Sequence, residues 1–167
     1  MSQHKSLQPQ KIAFLVANGC SESDLIHVQR ELQQFGATVR IIGVKQSLVT
    51  SWSGNGWGLN FAADHALNET LAADYDALII PGGKGSVDKL RQTAHTRRFI
   101  RGFFDAGKPV CALGEGVELL EYAELENYQE QAHVLVSELG SDAPQEVAQS
   151  IAVFVSEAIL PEQALAA

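Results

Sequence analysis

The chain is poor in the residues that covalent and metal cross-links require: its 167 residues include two cysteines, Cys20 and Cys111, and one methionine. Two cysteines cannot build a disulfide framework, and neither sits in a CxxC or Cys/His spacing suited to zinc. The five histidines (His4, His27, His65, His95, His133) include no i, i+4 pair, so neither a metal nor a cofactor is expected. Apolar runs stay on the scale of "DALII" and "IAVFV", far short of the roughly 20 residues of a membrane span. The start "MSQHKSLQPQ" lacks the basic-then-apolar layout of a secretory leader, so the expectation is a soluble, cytoplasmic protein with no membrane contact. Positive charge is scarce too. Twelve Lys+Arg against 20 Asp+Glu give a net charge of −8, which argues against nucleic acid as a partner, because phosphate contacts need a basic face.

What is present is an ordinary globular mix, 46% apolar and 19% charged, of a length that suits one domain with its own core. The expected organisation is a disordered arm at 1–10, a single domain at 11–160 and a frayed tail at 161–167. "KIAFLVA" reads as a parallel strand covered on both faces. In "SESDLIHVQRELQQFG", Leu25, Val28, Leu32 and Phe35 recur at helical spacing. Ser21 reads as the N-cap with Asp24 three residues on, and Gly36 as the stop. "ATVRIIGV" supplies the next strand, and a βαβ order favours a parallel sheet with right-handed crossovers. "LVTSWSGNGWGLNFAADHAL" breaks the pattern and predicts a twisted hairpin or an excursion, not a helix.

"DALIIPGG" is the clearest buried strand. "PGGKGS" lacks the spacing of a phosphate-binding Walker loop, and the glycines around Trp57 lack the strand-to-helix setting of a dinucleotide fingerprint. A single helix is predicted from Ser86 to Ala106. Between residues 84 and 108 stand seven Lys or Arg and two Asp, a local charge of +5 within a chain of −8. That stretch reads as a solvated face or as a docking patch for an acidic protein partner. Then follow the strand "PVCAL", the turn "GEG", the helix "EGVELLEYAELE", an edge strand in "AHVLVSE" and a helix in "APQEVAQSIAVFVSEAIL". The fold class is therefore α/β, a flavodoxin-like three-layer sandwich whose mostly parallel sheet carries helices on both faces. Ligands in such sheets gather at the carboxyl ends of the strands, where the loops "ANGCSES", "PGGKGS" and "GEG" should meet.

Those three loops, with "DYDALIIPGG" and "FIRGFFDAGKPVCAL" in order, resemble the ThiJ/PfpI superfamily, which has the class I glutamine amidotransferase-like fold. Enzymes of that superfamily mount a cysteine on a strained strand-to-helix turn, follow it with a histidine, and add a glutamate from the loop after the first strand. The resemblance puts the cysteine position at Gly114, the histidine position at Glu115 and the glutamate position at Ser21, with Glu22 beside it. All three differ. Glycine has no nucleophilic atom, and a carboxylate at Glu115 raises the pKa of a nearby thiol where the chemistry needs it lowered. Cys111 lies three residues before the elbow, about 10 Å away along a strand, and reads as buried and inert. Cys20 lies in the loop facing the elbow and is the one weak candidate for a relocated nucleophile.

"KPVCALGEGVELL" is similar to the C-terminal flavodoxin-like domain of large-subunit catalases, which likewise carries a GEG-type turn and for which the resemblance implies a stabilising or assembly role. Gly114 and Gly116 are expected to give the turn positive φ, with Glu115 and Glu118 in the first turn of the following helix. The predicted site is a vestigial cleft of Ser21, Glu22, Gly82, Gly83, Gly114 and Glu115. The predicted function is a catalytically inactive module acting through assembly, partner or small-ligand binding, in a setting of stress or oxidant response as its relatives suggest. A homodimer or higher homo-oligomer is expected. A cysteine hydrolase or glyoxalase-like enzyme using Cys20 is the alternative.

Overall fold

A computed structural model describes residues 10–137 and 144–159; the arm and tail proposed at the two ends lie outside these, apart from Gln10. Six parallel strands form the central sheet: β1 (Lys11–Leu15), β2 (Thr38–Gly43), β5 (His65–Ala66), β6 (Ala77–Ile80), β7 (Val110–Leu113) and β8 (Val134–Ser137). Their order is β5-β2-β1-β6-β7-β8. The strands that read as unbroken apolar runs are those covered on both faces. Along β1, Ile12 and Phe14 point into one core while Ala13 and Leu15 point into the other, and all four are fully buried.

The first face is closed by α1 (Glu22–Gln34) and α5 (Pro144–Ile159), which bring Leu25, Leu32, Ile151 and Val155 onto Phe14 and Ile79. The second is closed by α2 (Lys84–Leu90), α3 (His95–Asp105) and α4 (Glu118–Tyr122), whose Leu90, Phe99, Phe103 and Leu119 pack on Leu15 and Leu78. This is the flavodoxin-like sandwich, with β8 on the predicted edge. Strands β3 (Leu48–Trp52) and β4 (Trp57–Ala62) form the predicted hairpin as a separate antiparallel pair, with a register shift between Thr50 and Trp52.

The single helix expected over 86–106 is two helices, broken at Arg91–Ala94. At the break Thr93 Oγ1 accepts from the His95 N–H at 3.3 Å, a local contact that competes with continuation of the helix. The helix after the GEG turn is shorter than its sequence suggested, ending at Tyr122. Glu124 N–H donates to Glu121 O and Leu125 N–H to Leu120 O, with Glu124 at φ 59°, which together form a Schellman stop built on a glutamate. The Arg101 guanidinium donates to the carbonyls of Ala123 and Glu124, both at 3.0 Å, and clamps that stop.

Of the seven cations of 84–108, Lys84, Lys89, Arg91, Arg97 and Arg98 are exposed, so the stretch is a solvated face from which several side chains also reach other parts of the molecule. Arg98 donates to the carbonyls of Leu67 and Thr70, Lys108 to those of Ala72 and Tyr75, and Arg91 pairs with Glu118 at 2.7 Å. Arg97 lies over the Tyr122 ring and Lys84 pairs with Asp88. Arg98, Arg101 and Lys108 thus tie α3 and the residues after it to loop carbonyls, while Arg91 and Arg97 contact α4 and Lys84 pairs within α2.

Candidate functional site

The sheet's order reverses at β1, so the loops after β1 and β6 open at its carboxyl edge, where ligands collect in such folds. Glycines let these loops touch. A Cβ on Gly83, which has φ +109°, would meet the Cα of Cys20 at 2.9 Å, and one on Gly19 would meet the Cα of Gly85 at 3.1 Å. The contact is stitched by Ser21 N–H to Gly82 O at 2.8 Å and by Ala17 N–H to the buried Ser86 Oγ at 2.9 Å. The hairpin leans on the same loop through Gly19 N–H to Thr50 O and Trp52 N–H to Cys20 O.

The elbow after β7 has the expected positive φ at Gly114, +50°, which glycine adopts without strain. Gly116 differs from expectation: it has no positive φ, and glycine is required there because a Cβ would lie 2.6 Å from Ile80 O. The residues Gly114–Val117 form a tight 3-10 turn, and α4 begins at Glu118, so Glu115 stands on the turn itself.

From that position Glu115 reaches across the cleft, its Oε1 accepting from the Gly83 N–H at 2.8 Å. Next to it Asp24 Oδ2 accepts from the Gly82 N–H at 2.9 Å. The two successive amides of the "PGG" loop form an anion-binding nest of the kind that holds an oxyanion, and both are taken by the protein's own carboxylates. Burial pushes the Asp24 carboxyl above its usual range; the Gly82 N–H opposes this and the Glu115 carboxylate adds to it.

Of the sequence-predicted site residues, Ser21, Gly82, Gly83, Gly114 and Glu115 come together. Ser21 is the cap it reads as, its Oγ accepting from the Asp24 N–H at 3.2 Å. Glu22 does not join them. Its Oε1 turns to the hairpin, accepting from the Ser51 hydroxyl at 2.9 Å and the Leu59 N–H at 2.7 Å. Cys20 does not face the elbow either. Its backbone touches Gly83, but its side chain is fully buried in the α1 core, and burial pushes the thiol up to about 12. Burial raises the Cys111 thiol as well. Asp24 is the site residue the sequence reading passed over; its place three residues after the cap suggested a capping partner, whereas its carboxylate belongs to the "PGG" amides.

Among the described residues no three His, Cys, Asp or Glu side chains converge as a metal-ligand set, and no helix is long and apolar enough to cross a membrane.

A model of the DJ-1/PfpI family matches residues 10–138. The chain is 28% identical over 110 residues to the deglycase PfpI of Pyrococcus furiosus, covering 66% of this chain and 63% of that one. It is 32% identical over 117 residues to catalase-2 of Bacillus subtilis, covering 70% of this chain and 16% of that one. The chain spans less than two thirds of the length of the curated deglycases it matches, 63% to 65%. Among solved structures, DJ-1 of Schizosaccharomyces pombe shares the fold with a TM-score of 0.72 at 18% identity, covering 92% of this chain and 94% of that one.

Proposed function

The chain belongs to the DJ-1/PfpI family, and from that premise we propose that it is a member without catalytic turnover, which works by binding and by assembly with a second copy of itself. One observation carries the reading: the Glu115 carboxylate sits on the Gly83 amide, in the cleft where a substrate oxygen would have to bind. Such a nest stabilises a developing negative charge only while its donors are free. Here the donors already hold charge, and the turn that would present a nucleophile has Gly114 at its tip. Ser21, Glu22, Gly82, Gly83, Gly114 and Glu115 are on this reading the remains of a cleft, with Glu22 now serving the hairpin.

Assembly is supported by the distribution of exposed apolar side chains. Of the eight large ones exposed among the described residues, five lie on or beside the hairpin, and of these Trp52, Trp57 and Leu59 carry the face, with Trp57 63% and Leu59 56% accessible. Residues 46–63 include no charged residue, in a chain that carries −8. An uncharged face is where two equally negative copies meet without repulsion, and a two-fold pair can use the same patch on both sides.

Turnover like that named for the deglycase relatives is the competing reading, with Cys20 as the nucleophile; the buried, high-pKa thiol speaks against it. The deciding experiment is consumption of methylglyoxal by the purified protein beside its Cys20→Ala and Cys111→Ala variants. Rates equal to a heat-inactivated control are expected. Wild-type turnover above that control overturns the reading, and its loss in Cys20→Ala alone would assign the chemistry to that thiol.

A further inference from the structure

A second cleft lies at the carboxyl edge of the sheet, away from the elbow. Its volume is about 670 Å³, within the range of roughly 300 to 1,000 Å³ typical of small-molecule sites. One side is apolar, made by Val44 and Leu48 with the buried Val49 behind them. The other is made by the end of α2 and the break that follows it, which place Lys89, Gln92 and Thr93 on the wall. Lys45 completes the rim, and no carboxylate lines the cleft.

The charge here is unspent. Neither Lys45 nor Lys89 has an ion pair among the described residues, in contrast to Lys84 and Arg91 nearby, which pair with Asp88 and Glu118. Asn18 is also oriented. Its Oδ1 accepts from the Thr50 N–H at 2.9 Å, so its Nδ2 remains as a donor without a partner among the described residues. The cleft therefore offers two ammonium groups and an amide donor beside an apolar wall, on a molecule whose net charge of −8 leaves few places for an anion to settle.

We propose that this cleft binds a small organic anion with an apolar body, its acid group between Lys45 and Lys89 and its body against Val44, Leu48 and Val49. The proposal is independent of the elbow: it requires neither turnover nor its absence. Its dependence on the helix break explains why the sequence does not show it, since an unbroken helix through residues 91–94 would not place Gln92 and Thr93 where they are.

The test is a titration of isotopically labelled full chain with octanoate, followed by amide NMR shifts and by calorimetry, with octanol as the uncharged comparator. Shifts centred on Asn18, Lys45, Leu48 and Lys89 are expected, with octanoate preferred over octanol. Reversing both cations in a Lys45→Glu, Lys89→Glu variant should weaken octanoate binding about tenfold, since each exposed ion pair contributes at most a few fold. Both side chains are exposed, so the variant's melting temperature serves as the control for folding and should match wild type. Equal affinity for octanoate and octanol, shifts centred elsewhere, no binding in the millimolar range, or undiminished binding in the double variant would each overturn the proposal.

Discussion

Asp24 Oδ2 and Glu115 Oε1 converge on Gly82, each 3.1 Å from the point a Cβ on that glycine would occupy. Two acids from elements 91 residues apart, one at the start of α1 and one on the turn after β7, thus share one loop, and each satisfies one of its amides. The pair keeps the cleft filled at the cost of holding like charges close together, which is the source of the first two predictions.

Glu115→Ala leaves the Gly83 N–H without its acceptor. A partly buried amide bonded to a charged group contributes about 1.5 to 3 kcal/mol, so destabilisation by about that amount is expected in urea unfolding, with Glu115→Gln losing less. The freed nest should also accept a free carboxylate. Added acetate should raise the melting temperature of Glu115→Ala more than that of wild type; equal responses would mean the Glu115 contact is not what fills the nest.

Asp24 should reveal itself through pH. An acid whose pKa is raised in the folded state costs stability once ionised: the cost is absent below the ordinary carboxyl range, grows as pH rises through it, and is complete above the raised value. Asn keeps an oxygen for the Gly82 N–H and removes the charge. Asp24→Asn and wild type should therefore have similar melting temperatures near about pH 3, and the variant should gain on wild type as pH approaches about 7. A difference that stays constant with pH would show that the carboxyl is not perturbed.

The two thiols should be silent. With Cys20 pushed up to about 12 and Cys111 raised as well, both by burial, little thiolate exists near neutral pH and neither sulfur is accessible. A disulfide reagent at about pH 8 should label neither cysteine in native protein and both in guanidinium. Rapid native labelling of Cys20 would contradict its placement in the core.

Sequence reading reached the architecture because its signals are collective. Ile12 to Val16 and Ala77 to Ile80 are apolar on both faces, and Leu25, Val28 and Leu32 keep one helical stripe, so no single residue decides. Gly114, Glu115 and the "PGG" loop, which short glycine motifs and the family resemblance single out, lie close together in the fold. Sequence reading misplaced what depends on where one side chain turns. Glu22 and Asp24 stand two positions apart on the same first helical turn, yet Glu22 serves the hairpin and Asp24 the cleft. Thr93 reads as one more residue of a helix, whereas its hydroxyl turns to the His95 N–H at the break. The cations of 84–108 form a mostly exposed face, as they read, but the carbonyls that receive Arg98, Arg101 and Lys108 come from distant loops and carry no sequence signal.

Arg101 and Glu124 offer a check on that account. Glu124 holds a left-handed conformation, which costs an ordinary residue roughly 1 kcal/mol and a glycine almost nothing. Glu124→Gly should therefore stabilise the protein by up to about 1 kcal/mol, while Arg101→Ala, which unclamps the same stop, should destabilise it by about 1 to 3 kcal/mol. Denaturant midpoints measure both. If Arg101→Ala were neutral, the guanidinium contact would not be what holds this stop.

Trp52 and Trp57 form an edge-to-face pair with centroids 5.5 Å apart, yet both remain exposed, and Leu59 beside them is 56% accessible. An aromatic pair of this kind gains most when it is covered. Because both side chains are exposed in the single chain, Trp57→Ser with Leu59→Ser should change the monomer's own stability by no more than about 1 kcal/mol. If a second copy covers this face, light scattering should show wild type at a multiple of 18.0 kDa and the double variant at or moving toward the single-chain mass. A wild type of single-chain mass, or a variant that keeps the assembled mass, would place the contact elsewhere or remove it. In the second case the uncharged stretch from Gln46 to Ala63 would need another explanation, because the negative charge of the chain then approaches its own copy across a different face.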